Sequence, residues 1–330
     1  MQLWFWILVL LASVWAAHWG SDQLAEPLQK LRDRWGLSES AGAAFVALAT
    51  ASPEIGTNTA SAVRGLSDIG LGNLLGSNII SVPGIVAVSY FANRHRNNSR
   101  ESNEQSPGVR VKPEALKVQA IPYILIIILA AILTVPSGWR GLQPIDGWIM
   151  LAAYFVYLAQ AILRERSSKQ NVQWQKQEIA IAVLGVLVLG AGAYFIVTAT
   201  ERIVSILGIS QLIGGLFITS TLNILPEVFA TWKVAQSGQI TAATTSVIAD
   251  NSATMTLAFF PLALVGLPIK NISLFTVNLA FVALLAVAYA ACIQWGKRKY
   301  TFELWEVVSL LGIYLVYLGI IIFSILPSVK

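Results

Sequence analysis

Two Pro-Glu pairs each place a carboxylate inside a long apolar stretch of the sequence. Pro53-Glu54 lies in "ATASPEIGTNTA", and Pro226-Glu227 lies in "STLNILPEVFAT". Proline cannot donate a backbone hydrogen bond, so each pair also frees a carbonyl one turn earlier in its helix. A freed carbonyl and a carboxylate are both costly in hydrocarbon unless something, such as a cation, binds them. The two pairs therefore indicate oxygen ligands for a cation.

Further oxygen-bearing side chains stand at helical spacing around each glutamate. Thr50 and Asn223 lie one turn before the glutamates on the same helix faces. The next helix of each half adds an (i, i+4) polar pair and an asparagine. Hard oxygen donors around two or three carboxylates suit Ca²⁺ or Na⁺, and no imidazole or thiolate set suggests zinc or copper. The candidate metal-binding residues are Glu54, Glu227, Asp250, Thr50, Ser77, Asn223, Ser81, Thr254, Asn78 and Asn251.

Each of these residues also has a purely structural interpretation. The serine and threonine hydroxyls can bond back to carbonyls of their own helices. The two asparagines can bridge neighbouring helices, and Gly72 and Gly76 are expected to let helices pack closely whether or not a site is present. A buried base can pair with the glutamates, but only Lys233 lies at comparable depth, and we expect it to extend toward the membrane surface. His18 is assigned to a helix end, where it needs no functional explanation.

The composition is that of an integral membrane protein. Of 330 residues, 56% are hydrophobic and only 12% are charged, whereas soluble domains carry about 25% charged residues. The net charge of +5 fits cytoplasmic loops that face anionic lipid, and no basic patch with interleaved aromatic residues suggests nucleic acid. Cys292 is the only cysteine, so no intrachain disulfide can form. The apolar N-terminus lacks a basic n-region, so it is predicted to be a transmembrane helix rather than a signal peptide.

Apolar runs of about 20 residues predict where the chain crosses the bilayer. Counting alternate connections as lying on alternate sides puts 17 of the 22 Lys and Arg residues on one side. The positive-inside rule then predicts both termini outside and the polar loop 93–117 in the cytoplasm, in a plasma (inner) membrane. The ten predicted spans are 3–20, 40–64, 68–92, 118–136, 145–163, 178–200, 211–236, 240–265, 272–293 and 304–326, and the other long connections are the amphipathic 21–38 and 164–176.

The two Pro-Glu pairs are related by a shift of 173 residues, and each falls in the second helix of five. Both glutamates lie about 15 Å from the next polar edge at helical rise, which is near the middle of the bilayer. Because each half has five helices, an odd number, the second half enters the membrane from the opposite side, as in many secondary transporters. The fold prediction is an all-α membrane protein of ten transmembrane helices, arranged as two inverted-topology five-helix repeats. The predicted divisions are 1–164 for the first repeat, 165–177 for a short cytoplasmic linker and 178–330 for the second repeat.

"ATASPE" followed by "GLGNLLGSN" resembles the first alpha-repeat of the cation/calcium antiporter superfamily, which includes the sodium/calcium exchangers and their prokaryotic relatives. The specific motifs cover about 40–85 and, in a degraded form, 213–257. The resemblance implies that Glu54 and Glu227 are paired central ligands, with oxygens of Thr50 and Ser77 beside them. This chain departs from the pattern at Ala51 and Ile224, where the family commonly has serine. It also carries Asp250 where the first repeat has Ser77, and Ser81 and Thr254 where the family often has Asn or Asp, and it lacks the large regulatory domain between the halves.

The sequence therefore favours a secondary antiporter, not an enzyme, that exchanges Ca²⁺ for Na⁺ or H⁺ by alternating access. The absence of a P-loop pattern argues against ATP-driven transport. The expected partners are inorganic cations and the lipid bilayer, and no cofactor is expected beyond the transported ions. Two alternatives stay open: a proton-coupled exchanger of Mg²⁺, Mn²⁺, Na⁺ or K⁺, and a cation channel.

Overall fold

The computed structural model describes residues 2–37, 39–99, 108–113, 116–164 and 172–325. These residues form α-helices, short π-helical segments and one two-stranded antiparallel sheet. The helices are α1 (Gln2–Trp35), α2 (Glu39–Thr50), α3 (Ser52–Val63), α4 (Ser67–Ser99), α5 (Ile121–Thr134), α6 (Pro144–Arg164), α7 (Lys176–Leu207), α8 (Gln211–Ile213), α9 (Ser220–Gln236), α10 (Ile240–Ala253), α11 (Phe259–Leu264), α12 (Ile272–Trp295) and α13 (Leu304–Ile320). The π-helical segments are Leu116–Ala120, Gly214–Thr219, Thr254–Ala258 and Ile321–Ile325, and the strands are β1 (Val109–Arg110) and β2 (Thr301–Phe302).

Within the described ranges, eight helical stretches are long and apolar enough to cross a membrane. They correspond to eight of the ten predicted spans, so the chain is a nearly all-helical integral membrane protein. The other two predicted spans, 40–64 and 145–163, are helical as α2–α3 and α6 but are not among the eight. For 40–64 the reason is that the chain turns at Ala51 between two helices of 12 residues, and 12 residues rise only about 18 Å.

One predicted connection is wrong. The amphipathic stretch 21–38 is predicted as a long connection that follows a first span ending at residue 20, but α1 continues as one helix to Trp35 in spite of Pro27. Two other predicted connections fall partly outside the described residues, namely the loop 93–117 and the linker 165–177.

The helices differ sharply in how much of their surface the protein covers. In α4, and in the stretch from α10 to α11, 78% of the most apolar window is buried, against 28% in α1 and α7 and 22% in the stretch that contains α13. The poorly covered helices carry large exposed apolar side chains such as Trp4, Leu187 and Phe323. α4 and the α10–α11 stretch, which are the third predicted spans of the two halves, therefore form the centre, and α1, α7 and α13 expose much more of their apolar surface.

Glycines bring α4 into backbone contact with the second half. A Cβ added at Gly72 would lie 2.2 Å from the Leu212 carbonyl oxygen, and one at Gly76 would lie 2.4 Å from the Leu216 carbonyl oxygen. Gly215 makes the reciprocal approach, since its Cβ would lie 2.1 Å from the Ile69 carbonyl oxygen. The predicted close packing at Gly72 and Gly76 is confirmed, and it seats α4 against the π-helical segment Gly214–Thr219.

Contacts between connections show which loops share a side. On one side, β1 pairs with β2, and Lys30 lies 2.5 Å from Glu178. On the other side, Arg64 lies 2.9 Å from Glu201, and Leu142 forms an isolated bridge with Leu267. These pairings agree with the alternation used to count basic residues.

Candidate functional site

The interruption in the first half lies one turn before Glu54. α2 ends at Thr50, and α3 begins at Ser52, with Pro53 in its first turn. The carbonyl that Pro53 frees is that of Ala49. It accepts hydrogen bonds from the Ser21 hydroxyl at 2.5 Å and the Ser52 hydroxyl at 2.7 Å. The expectation that a cation satisfies this carbonyl is therefore not met at Ala49, because two hydroxyls already do so.

In the second half, the helix is not interrupted at the Pro-Glu pair. Pro226 lies inside α9, which runs without a break from Ser220 to Gln236. The irregularity comes earlier, in the π-helical segment Gly214–Thr219 that leads directly into α9. Wide helical turns of this kind often occur at functional sites. The predicted symmetry between the halves thus holds for the Pro-Glu pairs and not for the form of the interruption.

Three carboxylates meet at the centre of the protein. Glu54 is 1% exposed and Asp250 is 5% exposed, whereas Glu227 is half-buried. Each glutamate is close enough to Asp250 for electrostatic repulsion, and Glu227 is also close enough to Glu54 for repulsion between their carboxylates. Glu54 Oε2 and Asp250 Oδ1 are buried without a hydrogen-bond partner among the described residues. No ion pair between described residues includes any of the three, which excludes structural pairing with a base in this part of the chain.

The carboxylates do not close tightly around a common point. Across the described ranges, no three His, Cys, Asp or Glu side chains converge enough to hold a metal ion by themselves. Oxygen atoms from other side chains are therefore needed to complete a cation site. The buried oxygens without a partner next to the glutamates are Asn223 Oδ1, one turn before Glu227, and Thr57 Oγ1, one turn after Glu54.

The two ends of the site differ in exposure, and we call the end with the exposed side chains the open end. The Thr50 hydroxyl lies within hydrogen-bonding reach of the Asp250 carboxylate and yet is exposed, as is Ser246 one turn before Asp250. Thr57 and Ser61, which follow Glu54 along α3, are fully buried. The open end is the one at which α10 begins, on the side that carries β1. Thr50 also donates to the Ala47 carbonyl at 3.2 Å, as its structural interpretation predicted.

Four of the candidate ligands are bonded to each other across α4 and the α10 stretch. Ser81 donates to Asn251 Oδ1 at 2.9 Å, and Asn78 donates to Thr254 Oγ1 at 3.1 Å. The shift of 173 residues converts the first pair of residues into the second, although the hydroxyl donates in the first pair and the amide donates in the second. Tyr123 adds a third bond by donating to Asn78 Oδ1 at 2.9 Å. These polar atoms join the two halves, as the bridging interpretation of the asparagines predicted.

Ser77 occupies the position in the first half that Asp250 occupies in the second. It is 7% exposed, and its hydroxyl donates to the Leu74 carbonyl of its own helix at 3.3 Å. The oxygen of that hydroxyl can still accept a bond or bind a cation.

Two asparagines that the sequence analysis did not select lie beside the site. Asn58 follows Glu54 by one turn, and Asn73 lies within "GLGNLLGSN", five residues before Asn78. Both are fully buried and hydrogen-bonded to each other at 3.1 Å. The i, i+4 spacing from Glu54 was the available signal for Asn58.

His18 was also wrongly placed by the sequence. It lies well inside α1 rather than at a helix end, where its Nδ1 contacts the Val14 carbonyl at 2.9 Å. It lies next to the backbone of Asn223 and near Asp22. The prediction failed because α1 is 34 residues long and not 18.

With this geometry established, similarity to known proteins is informative. A family model described as "Sodium/calcium exchanger protein" matches residues 4–163 and 178–323. The chain belongs to this family. An exchanger of this family is a transporter and not an enzyme, and the resemblance of the Pro-Glu motifs to the cation/calcium antiporter superfamily is confirmed.

Individual relatives of this exchanger-family chain are distant but cover most of its length. It is 24% identical over 309 residues to an uncharacterized membrane protein of Methanocaldococcus jannaschii, covering 91% of this chain and 92% of that protein. Its fold resembles the sodium-calcium exchanger NCX_Mj, with a TM-score of 0.65 at 19% identity, covering 96% of this chain and 99% of that one. It also resembles the H⁺/Ca²⁺ exchanger CAX, with a TM-score of 0.74 at 13% identity, covering 99% and 82%.

Proposed function

We propose that this protein is a secondary antiporter that exchanges Ca²⁺ for Na⁺ or H⁺ at the site formed by Glu54, Glu227 and Asp250. The observation that carries the proposal is that three carboxylates from both halves lie together in the membrane without a basic partner among the described residues. Charges at this depth are costly unless they serve a transported ion. The cation is the substrate, and the proposal requires no cofactor.

The ligand set we propose combines carboxylates with neutral oxygens. Thr50 and Asn223 are the strongest neutral candidates, because Thr50 reaches Asp250 at the open end and Asn223 Oδ1 has no other described partner. Ser77 contributes its free lone pair. The four cross-bonded residues Asn78, Ser81, Asn251 and Thr254 hold the central helices together in this conformation. They can bind a cation only if the hydrogen bonds between them are broken.

Charge balance supports coupling to a second ion. Three ionised carboxylates carry one negative charge more than a single Ca²⁺ neutralises, and the excess is costly at membrane depth. A proton on one carboxylate removes the excess, and so does replacement of Ca²⁺ by several Na⁺ ions. The similar folds NCX_Mj and CAX are described as sodium-calcium and H⁺/Ca²⁺ exchangers respectively, so both counter-ions belong in the proposal. A proton-coupled exchanger of Mg²⁺, Mn²⁺, Na⁺ or K⁺ is the alternative within the same class.

Alternating access is the mechanism we propose, with both termini outside and 93–117 in the cytoplasm of a plasma (inner) membrane. The two stretches that match the family model lie on either side of the linker 165–177, which supports a repeat of two five-helix halves. The exposed Thr50 and Ser246 lie toward the side that carries β1. With that orientation, the site in this conformation opens to the cytoplasm.

Ion flux in liposomes tests the function. Purified protein is reconstituted into liposomes loaded with Na⁺, with acidic buffer, or with neither, and uptake of labelled Ca²⁺ is followed. We expect uptake to accelerate only when the internal solution supplies the counter-ion, and competition by Mg²⁺, Mn²⁺ and K⁺ ranks the substrates. Uptake that is equally fast without an internal counter-ion would identify a channel and refute the antiporter.

A further inference from the structure

A chain of three asparagine side chains, which we call the amide ladder, runs from the site in the second half to the π-helical segment after α10. Asn223 donates from Nδ2 to Asn73 Oδ1 at 3.0 Å, and Asn73 donates from Nδ2 to Asn58 Oδ1 at 3.1 Å. Asn58 in turn donates to the backbone carbonyl of Ala258 at 3.1 Å. All three side chains have 0% exposure. The ladder therefore connects α9, α4, α3 and the segment Thr254–Ala258 inside the protein.

The Ala258 carbonyl gives the amide ladder a single direction. A carbonyl oxygen can only accept, so Asn58 must turn its NH₂ group toward Ala258 and its oxygen toward Asn73. Asn73 must then turn its NH₂ group toward Asn58, which leaves its oxygen for Asn223. Reversing the three amides would bring the Asn58 oxygen against the Ala258 oxygen and leave a buried acceptor pair without a proton, which is unfavourable.

The amide ladder ends at Asn223, next to Glu227, where a side-chain oxygen is left free to face a cation. Because the Asn223 NH₂ group is bonded to Asn73, Asn223 Oδ1 is left buried and without a described partner. Asn223 lies one turn before Glu227 on the same face of α9. An amide oxygen is a good ligand for Ca²⁺ or Na⁺, whereas an NH₂ group at the same place would repel a cation.

We propose that Asn73 and Asn58 are positioning residues that hold the oxygen of Asn223, and not its nitrogen, toward the transported cation. The inference rests on the proposed function, since it assigns a role in cation binding to residues outside the set of ligands. The amide ladder also joins the helix of Glu54 to the helix of Glu227 through α4, so the oxygen is presented only when the two halves are in this register.

Leucine substitutions break the amide ladder at defined points and keep the branched shape of the side chain. Asn73→Leu removes the hydrogen bonds of Asn73 to Asn223 and to Asn58. Asn58→Leu removes the hydrogen bond to the Ala258 carbonyl, which sets the direction of the ladder. We expect each to raise the Ca²⁺ concentration for half-maximal exchange about tenfold, with a maximal rate within about twofold of wild type, because a buried polar group loses its partner and the ligand loses its orientation.

A matched control lies on the same helix. Ser89 is fully buried in α4, and its hydroxyl has no hydrogen-bond partner among the described residues. Ser89→Ala should leave both kinetic parameters unchanged. Measuring Ca²⁺ binding by calorimetry in detergent, together with exchange in liposomes, separates weaker binding from slower movement.

The outcomes distinguish the two proposals. Wild-type protein that neither binds nor exchanges a cation would refute the proposed function. Wild-type exchange together with unchanged half-maximal concentrations in Asn73→Leu and Asn58→Leu would refute the amide ladder alone, as would a lower maximal rate with unaltered binding. Where Asn73→Leu does not fold, Asn58→Leu decides on the same criteria.

Discussion

At the scale of residues, Glu54 and Glu227 differ in exposure although the repeat makes them equivalent. Glu54 is buried, and Glu227 is half-buried. Neither has a basic partner among the described residues, so neither charge is needed to neutralise another. The proposed function accounts for both positions, since a transported cation would neutralise the two charges.

Replacing either glutamate by glutamine tests this assignment. Glu54→Gln and Glu227→Gln should each reduce exchange to below about a tenth of the wild-type rate, because a neutral amide binds Ca²⁺ far more weakly than a carboxylate. Thermal unfolding in detergent should show that both variants fold. Glu201→Gln is the control, since Glu201 pairs with Arg64 at 2.9 Å away from the site, and it should exchange normally. Near-normal exchange by Glu54→Gln would disprove the site.

Asp250 is the residue that distinguishes the two halves chemically. If it supplies the third charge, protons compete with the cation, and raising the pH should strengthen Ca²⁺ binding until the site is fully ionised. Asp250→Asn leaves two carboxylates, which one Ca²⁺ neutralises, so the pH dependence should flatten while divalent transport is kept. With Na⁺ as the counter-ion, the same variant should instead lose Na⁺ dependence or change its Hill coefficient. Unaltered dependence on both ions would place Asp250 outside the site.

At the scale of elements, the contact between α4 and the segment Gly214–Thr219 depends on missing side chains. Gly72→Ala should lower the free energy of unfolding by about 1–3 kcal/mol, because its new methyl group would meet the Leu212 and Leu216 backbone in a packed interior. Gly84→Ala, on the same helix, meets nothing within 4 Å and should have little effect. The midpoint of thermal unfolding in detergent compares the stability of the two variants. Equal midpoints would show that the backbone at this contact can move apart to accept a methyl group at little cost.

The elements also show which features of the fold and the site could be predicted from the sequence. Hydropathy located the membrane helices, and the Pro-Glu spacing located the glutamates, because both signals are local. Asp250 followed from the shift of 173 residues. The amide ladder was not predictable in this way, since the same shift pairs Asn73 with Ser246 and Asn58 with Thr231. Its bonds exist only once α3, α4 and α9 pack together, and the π-helical segments leave no mark in the pattern of apolar residues.

At the scale of the whole molecule, the pairing of connections indicates which of them share a side, and the charge bias predicts the orientation. Ser237 and Ser137 are exposed on opposite sides and provide a matched pair of labelling sites. In a Cys292→Ala background, Ser137→Cys should react with an impermeant thiol reagent in intact cells, and Ser237→Cys should react only after the membrane is opened. The reverse pattern would invert the predicted topology.

Asp250 occupies the position in the second half that Ser77 occupies in the first. This difference between the halves has a consequence for the protein without bound ions. Two identical halves of opposite topology would relate the inward-open and outward-open forms by a two-fold rotation. The two forms would then have equal energy, and an unloaded carrier would divide its time evenly between them. Here one half brings an acidic side chain, the other a hydroxyl, and only one has its Pro-Glu helix divided in two. On the proposed alternating-access mechanism, we therefore expect the two forms to differ in energy, so that the carrier favours one face of the membrane before any ion gradient is applied.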